Sequence, residues 1–268
     1  MASKHKRHLK TFSIGYADNE FFDETSYAEL VAKKFRTDHT TFKLSNEDLF
    51  EELHNVLDYL DEPFADSSAL PVYILSKKTR QEVKVALSGD GADELFSGYN
   101  KHMAEYKIRQ GGFINNAVTA LHPLWHILPK SRNNPIGNMT RQLHRFSEGN
   151  KLSRQERYWR WCGYATEKNA NRLLSNHSRT KVIQEEYTDR KNSILSTISN
   201  DGDLNEILHT DMSLVLQNDM LVKVDLMSMA NSLEVRVPFL SHHVVNFAFT
   251  LPEESKITAD MKKRILQS

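Results

Sequence analysis

The sequence predicts an α/β protein in which a parallel sheet is followed by a mostly α-helical region. In the first 110 residues, short apolar or alternating stretches typical of strands alternate with amphipathic stretches typical of helices. Such an alternation builds a parallel sheet with right-handed crossovers. After about Gln110 the strand-like stretches stop, and helical patterns joined by loops continue to Ser268. We therefore divide the chain into residues 1–110 and residues 111–268.

The first part opens with two strands and the helix between them. Residues 9–16 alternate in polarity as a strand does, and residues 39–44 form a second strand. Residues 23–26 open the helix, whose apolar positions are Tyr27, Leu30, Val31 and Phe35.

Ser45 predicts the start of the next helix. Asp48, three residues later, gives an acidic near-match to a capping box, and the helix carries Leu49, Leu53, Val56, Leu57 and Leu60 inward. Residues 61–68 are rich in acids and hydroxyls and contain a proline, which predicts a loop. Residues 70–79 then form a helix that leads into the third strand.

The stretch from Val83 to Tyr99 organises the first part. Residues 83–87 are short, apolar and β-branched, which predicts a buried strand that ends at Ser88-Gly89-Asp90-Gly91. From Ala92 a helical stripe continues through Leu95, Phe96, Tyr99, Met103 and Tyr106. Ligands of open α/β sheets bind at such a strand-to-helix junction.

Two plainer interpretations of this junction stay open at this point. The glycines can serve turn geometry alone, with the acids capping a helix. Three acids around two glycines also suggest a calcium loop, although the alternating ligands and closing Glu of an EF-hand are absent.

The second part is helical, with its clearest helix over about residues 204–229. In it Asp219 stands four residues before Lys223, which predicts a side-chain pair. Residues 231–238 close this helix in an extended stretch, because residues before proline avoid the α region.

Composition limits the classes of function. The 35 basic and 35 acidic residues give a net charge of zero, so nothing calls for a nucleic-acid partner or an anionic membrane. The one cysteine, Cys162, excludes an intramolecular disulfide and fits a reducing compartment. No apolar run approaches the roughly 18 residues of a membrane span. We expect a cytoplasmic protein whose function depends on a local site.

Three segments together resemble one family. They are SGDGADELFSGY at residues 88–99, DEPFADSSALPVYILSK at residues 61–77 and LVKVDLMSMANSLEVRVPFL at residues 221–240. In this order they are similar to the synthetase domain of glutamine-dependent asparagine synthetases, and the resemblance runs over the whole chain. It implies a sheet of the adenine nucleotide alpha hydrolase, or ATP pyrophosphatase, type.

The resemblance also implies a reaction and its partners. ATP adenylates the side-chain carboxylate of aspartate with release of pyrophosphate, and ammonia then displaces AMP to give asparagine. The implied cofactors are ATP and Mg²⁺, and the ammonia comes from glutamine through a separate glutaminase domain. A homodimer stays open.

The family's functional residues carry over to six positions. Ser88 and Gly89 match nucleotide contacts, and Ile14 matches a residue beside the adenine. Asp93 matches a magnesium ligand, and Asp90 a carboxylate at the reacting centre that accepts a proton from the attacking nitrogen. Lys263 matches a lysine that neutralises phosphate charge, although adjacent Lys262 leaves the register open by one. We also expect the loop at residues 61–68 to border the substrate pocket.

Two features of the family pattern are missing from these 268 residues. There is no Ser-Gly-Gly-x-Asp-Ser pyrophosphate loop and no glutaminase segment with a leading cysteine. We therefore expect this chain alone to adenylate aspartate poorly, and a sheet edge or cleft to be exposed. The alternatives are a related amidotransferase, a β-lactam synthetase-like ligase, or a non-catalytic remnant of the fold.

Overall fold

The computed structural model describes residues 2–6, 8–18, 23–181 and 184–267. The elements of the first third, in chain order, are α1 (Ala2–His5), β1 (Lys10–Tyr16), α2 (Thr25–Phe35), β2 (Asp38–Leu44), α3 (Asn46–Asp58), α4 (Ala69–Arg80), β3 (Val85–Leu87), α5 (Ala92–Phe96) and α6 (Asn100–Gln110). The middle contains α7 (Phe113–Ala120), α8 (His122–Ile127), α9 (Pro135–Gly149), α10 (Arg154–Cys162), α11 (Glu167–Leu173), α12 (Asn176–Lys181) and α13 (Gln184–Leu195). The last part contains α14 (Leu204–Asp211), a π-helical segment (Met212–Met220), α15 (Leu221–Met229), β4 (Glu234–Arg236), a 3₁₀ turn (Pro238–Leu240), α16 (His242–Thr250), α17 (Glu253–Lys256) and α18 (Arg264–Gln267).

The chain packs into two compact units. Unit 1 comprises residues 1–88 and 219–238, and unit 2 comprises residues 89–218 and 239–268. The units differ from the division at residue 110 because α15 and β4 pack with elements that come much earlier in the chain. The division into residues 1–110 and residues 111–268, which follows from where the strand-like stretches stop, stays a prediction.

Unit 1 contains the strands, and all of its strand pairs are parallel, as predicted. β1 pairs with β2 over seven residues, from Lys10 opposite Asp38 to Tyr16 opposite Leu44. β3 pairs with β4, with Val85 opposite Glu234. The strands form two separate two-stranded sheets, whereas the sequence predicts one sheet.

The prediction that strands stop after Gln110 is wrong at one place. The extended stretch at residues 231–238 contains β4, which returns to pair with β3. The residues before Pro238 are extended because a following proline disfavours the α conformation. Backbone hydrogen bonds to β3 then make this extended stretch a strand.

Capping at the start of α3 follows the prediction. The Ser45 hydroxyl accepts from the Asp48 amide (3.2 Å), and the Asp48 carboxylate accepts from the Ser45 amide (2.8 Å). Both bonds satisfy amides that the first turn of a helix leaves open. Of the five predicted inward positions of this helix, Val56 is buried while Leu57 is exposed.

The apolar face of α2 is exposed. Tyr27, Leu30, Val31 and Phe35 are between 47% and 74% exposed, and three of them line a cavity of about 610 Å³ beside β1. Periodicity located this face correctly, but periodicity alone does not show what covers it.

The long helix predicted at residues 204–229 is continuous but not uniform. Its centre, Met212–Met220, is π-helical. Lys223 also contacts residues far away in the sequence, since its ammonium lies 2.6 Å from Asp66 and 2.8 Å from the Ser68 hydroxyl. Its pairing with Asp219 stays a prediction. No helix among the described residues combines the length and the apolar character that spanning a membrane requires.

The Asp66–Lys223 pair fixes the acidic loop of unit 1 to α15. Both side chains are largely buried, at 14% and 8% exposed. Burial would raise the pKa of Asp66, but its bonds to Lys223 and Ser68 outweigh burial and lower that pKa. The pair therefore stabilises the fold above about pH 4, and this contribution disappears as the pH falls through the lowered pKa.

We expect Asp66→Asn to lower the free energy of unfolding by about 1–3 kcal/mol at pH 7, because Lys223 loses its buried counterion. The difference from the wild type should shrink as the pH falls below about 4, where Asp66 is protonated in the unfolded chain, and should disappear once the pH passes the lowered pKa of Asp66 in the folded protein. Urea unfolding at several pH values measures both effects, with exposed Asp61→Asn in the same loop as the control. Equal losses for the two variants at pH 7 would contradict this role.

Candidate functional site

The turn after β3 has a shape that only certain residues permit. Ser88 follows β3 and donates its amide to the Arg236 carbonyl (2.9 Å). At Gly91 the backbone has φ 88°, and a Cβ there would lie 2.3 Å from the Leu240 side chain. Both the left-handed conformation and the close contact require glycine. Asp90, the predicted proton acceptor, is half-buried in this turn.

The helix predicted to run from Ala92 through Tyr106 is two helices. α5 ends after one turn, at Ser97 with φ 61°, and α6 begins at Asn100. The apolar stripe is real, since Leu95 and Phe96 are buried in the unit 2 core. Periodicity alone did not reveal the break, because the stripe continues across it. Because α5 has only five residues, its dipole is weak, so attraction of an anion to this turn depends mainly on nearby side chains.

The break brings two predicted site residues together. Lys263 Nζ lies 2.8 Å from Asp93 Oδ1, and the two side chains are 32% and 34% exposed. Gly98 lies directly against this ion pair, because a Cβ at Gly98 would be 1.6 Å from Asp93 Oδ1 and 2.6 Å from Lys263 Cε. The Gly98 amide also donates to the Asp93 carbonyl (2.8 Å). The pair is thus packed against backbone on one side and open to solvent on another.

Lys263 and Lys262 have different environments. Lys263 has a left-handed backbone, with φ 50°, an uncommon conformation for a residue other than glycine. Lys262 donates to the Asn100 side chain (2.8 Å), and burial lowers its pKa while Asp93 opposes that effect. The carboxylate of Asp93 is therefore paired with the second lysine of the two.

Glu94 is buried and hydrogen-bonded next to the turn. Its side chain is 1% exposed and accepts a hydrogen bond from the Tyr99 hydroxyl (2.7 Å). Burial raises the pKa of Glu94 and also that of Tyr99. This bond links α5 to the start of α6 across the break.

A buried polar cluster holds α6 in place. Asp211 of α14 is fully buried and accepts from Lys101, His102 and Tyr158. Burial would raise the pKa of Asp211, but the charge of Lys101 and the His102 bond lower it to about 2. The cluster was missed in the sequence, where its members are scattered over three helices. It anchors the helix that begins just after Gly98.

The remaining predicted residues lie in unit 1 or on the turn. Ile14 is half-buried on β1, opposite Phe42 of β2, and lines the cavity beside α2. Ser88 is the last residue of the first segment of unit 1, and Gly89 is the first residue of unit 2. A Cβ added at Gly89 would have no neighbouring atom within 4 Å. In the described part of the chain, no group of three or more His, Cys, Asp or Glu side chains could hold a metal ion.

The chain matches known proteins over its whole length. The family model described as asparagine synthase matches residues 1–268. The chain is 31% identical to asparagine synthetase [glutamine-hydrolyzing] 1 of Bacillus subtilis, over 97% of this chain and 39% of that protein. It is 30% identical to a putative asparagine synthetase [glutamine-hydrolyzing] of Mycobacterium bovis, over 100% of this chain and 39% of that protein. The chain thus spans about two fifths of the length of these relatives.

The two glycines of the turn provide a test of its geometry. We expect Gly91→Ala to lower the free energy of unfolding by about 2 kcal/mol or more, because it combines left-handed strain with an overlap with Leu240. Gly89→Ala should change it by less than about 0.5 kcal/mol, since no atom lies within 4 Å of the new methyl group. Chemical denaturation of the two variants distinguishes these outcomes. Equal destabilisation would show that the turn has another conformation.

Proposed function

Because the chain belongs to the asparagine synthase family, we propose that it carries the nucleotide-handling and ligation part of a glutamine-hydrolysing asparagine synthetase. The observation that supports this most is the Asp93–Lys263 pair beside Gly98, next to the turn after β3. A carboxylate is a group that can bind a metal ion and an ammonium is a group that can bind phosphate, and a third of each of these two side chains is exposed to solvent. We further propose that the parallel strands belong to a sheet of the ATP pyrophosphatase type.

The proposed reaction has two steps. The aspartate side-chain carboxylate attacks the α-phosphorus of ATP, the bond from that phosphorus to the bridging oxygen breaks, and pyrophosphate leaves. Ammonia then attacks the carbonyl carbon of the aspartyl adenylate, AMP departs with the electrons of the carbon–oxygen bond, and the nitrogen loses a proton. Negative charge develops on phosphate oxygens in the first step and on the carbonyl oxygen in the second.

The predicted residues take roles that suit these charges. Lys263 offsets the charge that develops on the phosphate and on the tetrahedral intermediate. Asp90, three residues before Asp93, accepts the proton from the attacking nitrogen, which requires reach rather than an unusual pKa. The Ser88 and Gly89 positions contact the nucleotide, and Ile14 lies beside the adenine.

Mg²⁺ suits the donor set of unit 2. Magnesium sites on nucleotides use one or two protein carboxylates, while phosphates and water supply the other ligands. Asp93 offers one carboxylate that is a third exposed, so we propose it as the protein ligand. When bound, the ion would neutralise the charge of the departing pyrophosphate. Lys263 would then be released from Asp93 toward the nucleotide.

The partners follow from the relatives. Those proteins are named as glutamine-hydrolysing, so we propose that ammonia reaches this chain from a glutaminase domain. A homodimer and a cytoplasmic location are part of the same proposal. The substrates are ATP, aspartate and ammonia.

Aspartate-dependent exchange of labelled pyrophosphate into ATP, measured on the full-length gene product, tests this function. We expect exchange with aspartate, little with glutamate, and a fall of about 10²-fold or more in Lys263→Met, which loses charge stabilisation. Lys262→Met is the matched control, with an expected loss below about threefold. Exchange that prefers another carboxylate would assign a different substrate. Exchange lost in Lys262→Met but kept in Lys263→Met would overturn the assignment of the lysine.

A further inference from the structure

A cavity of about 440 Å³ lies in unit 2 among α6, α7 and α9, and its lining includes neither Asp93 nor Lys263. Its volume is typical of small-ligand sites, which span about 300–1,000 Å³. Half-buried apolar side chains form much of its wall, among them Met103, Val118 and Phe146. Such a wall suits the apolar body of a small molecule.

The charged side chains of this cavity are all positive. Lys101, Lys107, Arg141 and Arg145 line it, and none of its lining residues in the described ranges is Asp or Glu. The sequence around it has the same bias, because residues 106–147 contain six Lys or Arg, three His and no Asp or Glu. Residues 106–147 are therefore locally positive, although the net charge of the whole chain is zero.

The nearby acids are already engaged. They form ion pairs that connect Asp211 with Lys101, Glu105 with Arg109 and Arg157, and Glu148 with Arg160. Among the described residues, no ion pair neutralises Lys107, Arg141 or Arg145.

The two arginines of α9 have only neutral hydrogen-bond partners. Arg141 donates to the Asn138 side chain (2.9 Å), and Arg145 donates to the Trp161 carbonyl (2.9 Å). Burial lowers the pKa of both arginines. Arg132 lowers the pKa of Arg141 further, and Arg160 and Arg141 lower that of Arg145 while Glu148 raises it. Arg141 and Arg145 stand four residues apart, on one face of α9. An anion between them would relieve this repulsion.

We propose that this cavity binds a small organic anion in which one carboxylate or phosphate is attached to an apolar body. The charged group lies between Arg141 and Arg145, with Lys107 at the exposed edge, and the apolar body packs against Met103, Val118 and Phe146. The site is distinct from the Asp93–Lys263 pair, since none of its lining residues belongs to the turn at residues 88–91 or is Lys263.

Calorimetric titration of the full-length protein with three probes of one size tests this site. The probes are 1-naphthylacetate, 1-naphthyl phosphate and neutral 1-naphthylacetamide. We expect at least one anion to bind at least tenfold more tightly than the amide, and the ratio of the two anions identifies the preferred charged group. Arg141→Gln should weaken the anion by about tenfold or more and leave the amide unchanged.

Two further variants complete the test. Gln142→Glu adds a negative charge on an exposed lining residue and should also weaken the anion, which covers the case that Arg141→Gln misfolds. Arg190→Gln, an exposed arginine of α13 outside the cavity lining, is the control and should bind as the wild type does. The proposal fails if the amide binds as tightly as both anions, or if Gln142→Glu binds the anion as the wild type does.

Discussion

The contact of Gly98 with the Asp93–Lys263 pair is the constraint on which the candidate site depends. A side chain at position 98 would occupy the space of the Asp93 carboxylate, with its Cβ only 1.6 Å from Oδ1. The helix breaks between α5 and α6, where Ser97 has a left-handed conformation, and glycine at position 98 leaves the space that the carboxylate occupies. The same break lets Lys263, from the far end of unit 2, reach Asp93. Gly98 therefore contacts both members of the ion pair, and its lack of a side chain leaves room for them.

Buried polar groups keep this arrangement in one position. Glu94 and Tyr99 connect the two short helices across the break, and Asp211 ties α6 to α10 and α14. A buried carboxylate stabilises a fold only when its partners are complete, and Asp211 has three donors. In unit 1 the Asp66–Lys223 pair likewise holds the acidic loop against α15. The pair at Asp93 differs from these because about a third of each of its side chains is exposed to solvent.

Local signals in the sequence predicted the local elements well. The alternation of residues 9–16, the capping box at Ser45 and the strand before Ser88 each depend on neighbours in sequence, and the structure contains all three. The predicted burial of that strand is wrong, because β3 covers only Val85–Leu87, and Val85 and Leu87 are 45% and 61% exposed. The contact of Gly98 with Lys263 and the Asp66–Lys223 pair join residues more than 100 positions apart, and the Asp211 cluster joins residues 53 to 110 positions apart. Periodicity could not reveal such contacts. Resemblance to a family indicates Asp93 and Lys263 separately, whereas their contact is seen only in the structure.

Gly98→Ala measures the central claim most directly, because it moves the pair without removing either charge. The atoms that the new methyl group meets are ends of flexible side chains, so we expect the free energy of unfolding to change by less than about 1 kcal/mol. Aspartate-dependent pyrophosphate exchange by the full-length protein should fall by at least about tenfold, with a higher Mg²⁺ requirement. Wild-type exchange and metal dependence in a folded Gly98→Ala protein would contradict the account.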